Sequence, residues 1–216
     1  MIKLAIFDLD GTLTDTIEDL ADSVNFSLEF FGYPTHELEK YKYFVGSGIP
    51  NLIRRASPNN CSEEELLAIR KKFFEYYRVH YLDKTKVYDK IYETLDNLNS
   101  MGVKLAVCSN KAEEMTEKIL SALFSGRFSA LVGQSERYPI KPAPDSVYYI
   151  LDKLSVEAFE AIFIGDSGVD MQTAKNSGMI GIGVTWGFRT KEELIENGAD
   201  YIAEEPLDII KIIEKV

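Results

Sequence analysis

The sequence predicts an α/β protein: a doubly wound, Rossmann-like parallel sheet with a small all-helical domain inserted after its first strand. Short apolar runs at residues 4–7, 103–108, 161–164 and 180–184 alternate with stretches whose apolar residues return at helical spacing, the pattern of strands joined by covering helices. The runs lack polar alternation, which marks strands buried on both faces. Residues 16–82, by contrast, show helical spacing and no convincing strand. Residues 1–15 and 83–216 are therefore expected to form the core and 16–82 a helical cap over the carboxyl edge of the sheet, with hinges near 14–16 and 82–85.

The first run ends abruptly in Asp8-Leu9-Asp10-Gly11-Thr12. Two carboxylates one residue apart at the end of a buried strand lie where open parallel sheets bind ligands, although acidic and glycine residues also punctuate ordinary turns. Ile17, Leu20, Ala21, Val24, Leu28 and Phe31 predict a helix that Gly32-Tyr33-Pro34 ends. Phe44-Val45-Gly46-Ser47-Gly48-Ile49-Pro50 reads as a glycine-punctuated loop before a short helical stretch containing Arg54 and Arg55. Ser62 and Glu65 have capping-box spacing and open a long helix through Leu66, Ile69, Phe73, Tyr77 and Tyr81. Its aromatic residues fit cap core better than a ligand surface.

Beyond Lys84, the residues Ile91, Leu95 and Leu98 predict a helix closed by Met101-Gly102, and the strand at 103–108 ends in Ser109-Asn110. A helix over 112–124, a weaker strand at 130–132 and a loop containing Lys141-Pro142-Ala143-Pro144 follow. Val147, Tyr148, Ile150, Leu151 and Leu154 share a helical face, the strand at 161–164 ends in Gly165-Asp166, and a helix through 171–176 stops at Gly178. After the run at 180–184 a terminal helix starts from Pro206.

At 216 residues, 45% hydrophobic and 27% charged, the chain can hold one substantial core and an insertion. A net charge of -11 argues against a nucleic-acid binder, which needs a basic face to displace counterions from phosphates. No stretch approaches the roughly 18 apolar residues of a membrane span, and no leader pattern precedes the first strand. Cys61 and Cys108 sit in unlike settings, which fits a reducing cytoplasm. His36 and His80 are the only histidines, so a zinc site is not expected.

Polar groups accumulate at the strand ends: Asp8 and Asp10, Ser109 and Asn110, then Asp166 and Asp170, with Lys141 in a nearby loop. Carboxylates gathered at one edge repel unless a hard cation sits among them, and an all-oxygen donor set suits Mg2+. A nucleophile, a proton donor, positive charge and hydrogen-bond donors are also what dephosphorylation requires.

The segments Asp8-Leu9-Asp10-Gly11-Thr12, Val107-Cys108-Ser109-Asn110, Lys141-Pro142-Ala143-Pro144 and Gly165-Asp166-Ser167-Gly168-Val169-Asp170 resemble, in this order, the four motifs of the haloacid dehalogenase superfamily. Within it the chain is most similar to the phosphoglycolate phosphatase-like branch, which carries a small helical cap between the first two motifs. The resemblance implies that Asp8 attacks phosphorus to form an aspartyl-phosphate, and that Asp10 protonates the leaving alcohol and then takes a proton from the hydrolytic water. It implies Mg2+ held by the Asp8 side chain, the Asp10 carbonyl, Asp166 and Asp170, the last directly or through water. It also implies that Ser109 and Asn110 hold phosphoryl oxygens and that Lys141 neutralises charge there. In the cap and beside the second motif, Gly46, Arg54 and Lys111 would face the substrate, with Arg54 able to grip a carboxylate. The implied partner is a small phosphorylated metabolite, phosphoglycolate first, acted on by a monomer or weak homodimer.

Plainer readings stand beside these. Asn110 and Glu113 have capping-box spacing, Lys111 reads equally as a solvated helix lysine, Arg54 and Arg55 as the wet face of a helix, and Asp170 as a carboxylate favoured by a helix N-terminus. Val87-Tyr88-Asp89-Lys90 departs from the Tyr-Pro-Gly frequent at the cap exit of the resembled branch. A β-phosphoglucomutase-like phosphotransferase is the sister activity, and a non-catalytic module binding a phosphometabolite or a partner is the alternative of another kind.

Overall fold

The computed structural model describes all 216 residues, Met1–Val216. At the centre of a six-stranded parallel sheet, β1 (Leu4–Phe7) lies between β4 (Lys104–Ala112) and β6 (Ala161–Gly165). Beyond β4 lies β5 (Ala130–Gln134), and beyond β6 come β7 (Ile180–Val184) and β8 (Tyr201–Ala203). Alternate side chains of β1 feed two different cores, Ala5 and Phe7 on one face and Leu4 and Ile6 on the other, because successive strand residues point to opposite sides. The first face is covered by α5 (Ile91–Ser100), α6 (Glu113–Phe124) and α10 (Asp208–Ile213), and the second by α7 (Asp145–Leu154) and α8 (Gly168–Asn176). This is the doubly wound α/β fold that the apolar runs predict.

The register aligns the chemistry-bearing strand ends. Phe7 is level with Val107 on one side and Ile164 on the other, so the residues that follow these three lie side by side at this edge, although β4 itself continues to Ala112. Asp8 continues the ladder by donating its N–H to the Ile164 carbonyl at 2.9 Å.

Four helices, α1 (Ile17–Phe30), α2 (Leu38–Phe44), α3 (Gly48–Ala56) and α4 (Glu63–His80), occupy the stretch after the first strand and enclose a hydrophobic cluster of their own around Leu20, Val24, Tyr41, Ile53, Ile69, Phe73 and Tyr77. Two residues from the sheet side, Met115 and Phe188, reach into that cluster. The chain leaves and re-enters the sheet region through a two-stranded antiparallel ribbon, β2 (Thr14–Asp15) with β3 (Lys86–Val87). Beside the ribbon, buried Asp19 of α1 accepts the N–H groups of Lys84 and Thr85 and the Thr85 hydroxyl, the last at 2.7 Å.

Several elements differ from the sequence pattern. Strand β4 runs on through Ala112, which pairs with Gln134 after a register shift, so Ser109 and Asn110 lie within a strand rather than beyond one. Helix α3 starts at Gly48 and carries Pro50 in its first turn, where a missing N–H costs nothing. Helix α9 (Lys191–Glu196) buries only Leu194, and β8 is three residues long; elements this short carry too few repeats for periodicity to register. None of the helices is long and apolar enough to cross a membrane.

Candidate active site

Asp8 leaves the end of β1 almost fully buried, with Lys141 Nζ 2.9 Å from its Oδ1. The same ammonium lies 2.6 Å from Asp170 Oδ1. Asp170 occupies the third position of α8, where its other oxygen accepts the Ser167 N–H at 3.0 Å and the Ser167 hydroxyl at 2.6 Å. It therefore caps the helix, the plainer of the two readings of this residue, and meets Lys141 at once. Asp166 Oδ2 accepts the Phe188 N–H at 2.7 Å. The room for Asp166 comes from two glycines: a Cβ on Gly11, whose φ is +89°, would lie 2.3 Å from Asp166 Oδ2, and one on Gly187 would lie 2.3 Å from Asp166 Cβ.

Asp8, Asp166 and Asp170 each present a carboxylate oxygen, and these oxygens lie within 4.8 Å of one another. Asp8 Oδ1, although near Lys141, is buried without an aligned hydrogen-bond donor. An orphaned anionic oxygen inside an all-oxygen cluster fits a hard divalent cation. Without one, ionisation is costly: burial pushes the Asp8 carboxyl up to about 6 against the pull of Lys141, with Asp170 and Asp10 adding to the rise. Asp166 is held well above its ordinary value by burial, then by the charges of Asp170 and Asp8. Burial opposes the charge on Lys141, but Asp170 and Asp8 outweigh it and keep the ammonium protonated.

Asp10 has a separate partner. Lys111 Nζ lies 3.1 Å from each Asp10 oxygen, and the Thr16 hydroxyl donates to Asp10 Oδ1 at 2.8 Å. The Lys111 side chain is only 1% exposed, so it is not the solvated helix lysine that its sequence position allows; β4 carries it inward instead of a helix carrying it outward. Burial works against its charge, yet Asp10 and Tyr77 of α4 raise its pKa above the ordinary lysine value. Its Nζ stands 5.0 Å from the Tyr77 ring centroid.

Asn110 is not a helix cap either. Helix α6 begins three residues later with Ala112 as its N-cap and no side-chain cap, because β4 has taken up the intervening residues. The Asn110 side chain instead accepts the Lys141 N–H at 2.8 Å and donates to the carbonyls of Lys141 and Gly46, each at 3.1 Å. It thus ties the lysine loop to the loop between α2 and α3. Ser109 Oγ accepts the Lys111 N–H at 3.3 Å.

These groups surround a cavity of about 510 Å³, part of it open to solvent. Asp8, Asp10, Ser109, Asn110, Lys111 and Asp166 form its floor, and Val45, Gly46 and Gly48 of the helical unit face them. Lys141 and Asp170 stand behind Asp8 rather than on the wall. Arg54 is not brought to this place: its guanidinium is exposed and forms a two-point pair with Glu63 at 2.7 and 2.8 Å, as expected of the wet face of a helix. The arginine on the wall is Arg189, beside Phe188. The four-motif pattern contains neither residue, nor Gly187. The signal that points to them is that β7, like the other site-bearing strands, stops in a polar, glycine-containing stretch, Thr185-Trp186-Gly187.

Comparison with known proteins gives the same reading of the fold. A sequence model of the family described as haloacid dehalogenase-like hydrolase matches residues 5–184. A protein of Mannheimia succiniciproducens named phosphoglycolate phosphatase is 32% identical, over 98% of this chain and 98% of its own length. One of the same name from Aquifex aeolicus is 32% identical, over 99% and 97%. The crystal structure of a protein from Lactobacillus delbrueckii subsp. bulgaricus superimposes with a TM-score of 0.93 at 33% identity, covering 98% of both chains. Matched by the family over most of its length and by relatives along nearly their whole chains, the protein belongs to the haloacid dehalogenase-like hydrolases.

Proposed function

We propose that the protein is a Mg2+-dependent phosphatase that hydrolyses a small phosphomonoester, phosphoglycolate foremost, through an aspartyl-phosphate on Asp8. One observation carries this reading: two carboxylates from the end of one strand face one cavity, and each has its own buried lysine, Lys141 for Asp8 and Lys111 for Asp10. A nucleophile and an acid/base group need such separate electrostatic surroundings if one is to stay ionised while the other exchanges protons.

In the first half-reaction an Asp8 oxygen bonds to phosphorus as the phosphorus–oxygen bond to the alcohol breaks, and the departing oxygen takes its proton from Asp10. In the second, water attacks the phosphorus of the aspartyl-phosphate, Asp10 takes the water's proton, and inorganic phosphate leaves with the Asp8 carboxylate regenerated. The Ser109 hydroxyl and the backbone N–H of Asn110, whose side chain is engaged with Lys141 and Gly46, would hold phosphoryl oxygens. Asp8, Asp166, Asp170 and the Asp10 carbonyl would hold the magnesium ion, which supplies positive charge for the phosphoryl oxygens. Asn110 also positions Lys141 through its hydrogen bonds with that residue's backbone.

Residues 16–82 act as the cap. The Asn110 bond to the Gly46 carbonyl supports a closed arrangement that excludes bulk water and favours small substrates. The names of the full-length relatives support phosphoglycolate as the leading substrate. The test is phosphate release from a panel containing phosphoglycolate, p-nitrophenyl phosphate and sugar phosphates, with Mg2+ and with a chelator. Turnover of phosphoglycolate that the chelator abolishes is expected. Release from no ester at all overturns the proposal and leaves a non-catalytic binding module.

A further inference from the structure

We propose that Arg189 selects the substrate, by reading a second anionic group, a carboxylate, carried by the phosphomonoester. The inference rests on the phosphatase reading and adds the residue that would discriminate among esters. Arg189 is the one arginine on the cavity wall. Arg54 is engaged with Glu63 outside, and Arg55 donates to the carbonyls of Tyr43 and Phe44 at the end of α2.

The cations at the site are not equally available. Lys111 is held by both oxygens of Asp10, and Lys141 lies behind the wall between Asp8 and Asp170. The main partners of Arg189 are neutral: it donates to the carbonyl of Lys42, and to that of Val45 at 2.8 Å. Its one ion-pair partner, Glu193, lies 3.4 Å from Nε and is shared with the Gly168 N–H, and its charge also acts on Asp166 without a hydrogen bond to it. These contacts use only part of the donor set of a guanidinium. The side chain is 11% exposed, so its charge is weakly screened. A carboxylate is the acceptor that its planar fork binds best, and a charge-assisted pair is stronger than a bond to a neutral carbonyl.

The surroundings fit that role. Phe188, the preceding residue, donates its N–H to Asp166, which fixes the base of Arg189 relative to the carboxylate cluster. Across from it, Gly46 has a φ of +112°, a backbone conformation that favours glycine, and the position it leaves without a side chain lies in contact range of Arg189 Nη2. Because the same group also holds the Lys42 and Val45 carbonyls of the cap, gripping the substrate and seating the cap become one event.

Binding separates this role from a purely structural one. Calorimetry on the catalytically silent Asp8→Asn protein would compare 2-phosphoglycolate with ethyl phosphate, which has a similar length and no second charge. Adding Arg189→Gln should weaken 2-phosphoglycolate by about 30-fold or more, as expected for loss of one partner of a buried charge pair, and ethyl phosphate by less than about 3-fold. Arg189→Lys should recover part of the loss, since charge returns without the fork. In turnover the Gln variant should raise KM for 2-phosphoglycolate more than it lowers kcat. Equal weakening of both ligands, no weakening of either, or a parent protein that binds 2-phosphoglycolate no better than ethyl phosphate overturns the inference. Failure of the phosphatase reading shows separately, as absent phosphate release from every ester.

Discussion

Asp8 and Asp10 come from one strand end, yet their neighbours divide them. Asp8 is enclosed with Asp166 and Asp170 against Lys141, whereas Asp10 is clasped by Lys111 and Thr16. Asp8→Asn should therefore lower kcat by about 10³-fold or more while leaving the fold intact, because it removes a charge the buried cluster bears at a cost. Phosphate release and circular dichroism check the two halves, and retained turnover would sink the proposed mechanism. Lys111→Met should be damaging to stability as well. It strips a half-buried carboxylate of its buried cation, a change that costs up to about 3 kcal/mol, and urea unfolding would show it. The pairing itself was not legible in the sequence. Next to the second motif, Lys111 fits a solvated helix and a site position equally by sequence, and only the inward turn of β4 puts its ammonium on Asp10.

Among the elements, the connection between the sheet and the helical unit depends on a few polar clasps. Asp19 of α1 takes three donors from Lys84 and Thr85, which closes the chain where it leaves and returns. Asp19→Ala leaves buried N–H groups unpaired. It should cost about 2–3 kcal/mol and speed proteolysis near 81–85, measured by urea unfolding and limited digestion; unchanged values for both would refute the clasp. Local pattern served well where an element contains its own signal. The Ser62–Glu65 capping box stands at the start of α4, since all its partners lie within one turn. The same spacing at Asn110 and Glu113 misled, because Gln134 draws Ala112 into β4, and a four-residue pattern carries no information about a strand partner further along the chain.

For the whole molecule, the cluster of Asp8, Asp166 and Asp170 couples stability to protons and to metal. In the cation-free protein Asp8 and Asp166 hold protons more tightly when folded than when unfolded. The folded state then binds more protons across the window from the ordinary carboxylate range to about 6 for Asp8, so stability falls as pH rises through it. A bound divalent cation favours the ionised forms and reverses the penalty. Saturating Mg2+ should therefore raise the Tm by roughly 5–10 °C near pH 7.5 and by much less near pH 5. Differential scanning calorimetry with and without Mg2+ checks this, and a gain independent of pH would count against metal binding by these carboxylates.

The sequence by itself determined the α/β class, the strand ends that carry Asp8, Asp10 and Asp166, and the family, because apolar runs, their polar stops and short motifs are local properties of the chain. Only the tertiary structure decided which cation serves which carboxylate and which arginine reaches the cavity. Those contacts join residues far apart, 101 positions for Lys111 and Asp10 and 144 for Arg189 and Val45. They exist because parallel strands in register place their carboxyl ends together and the helical unit folds back over them.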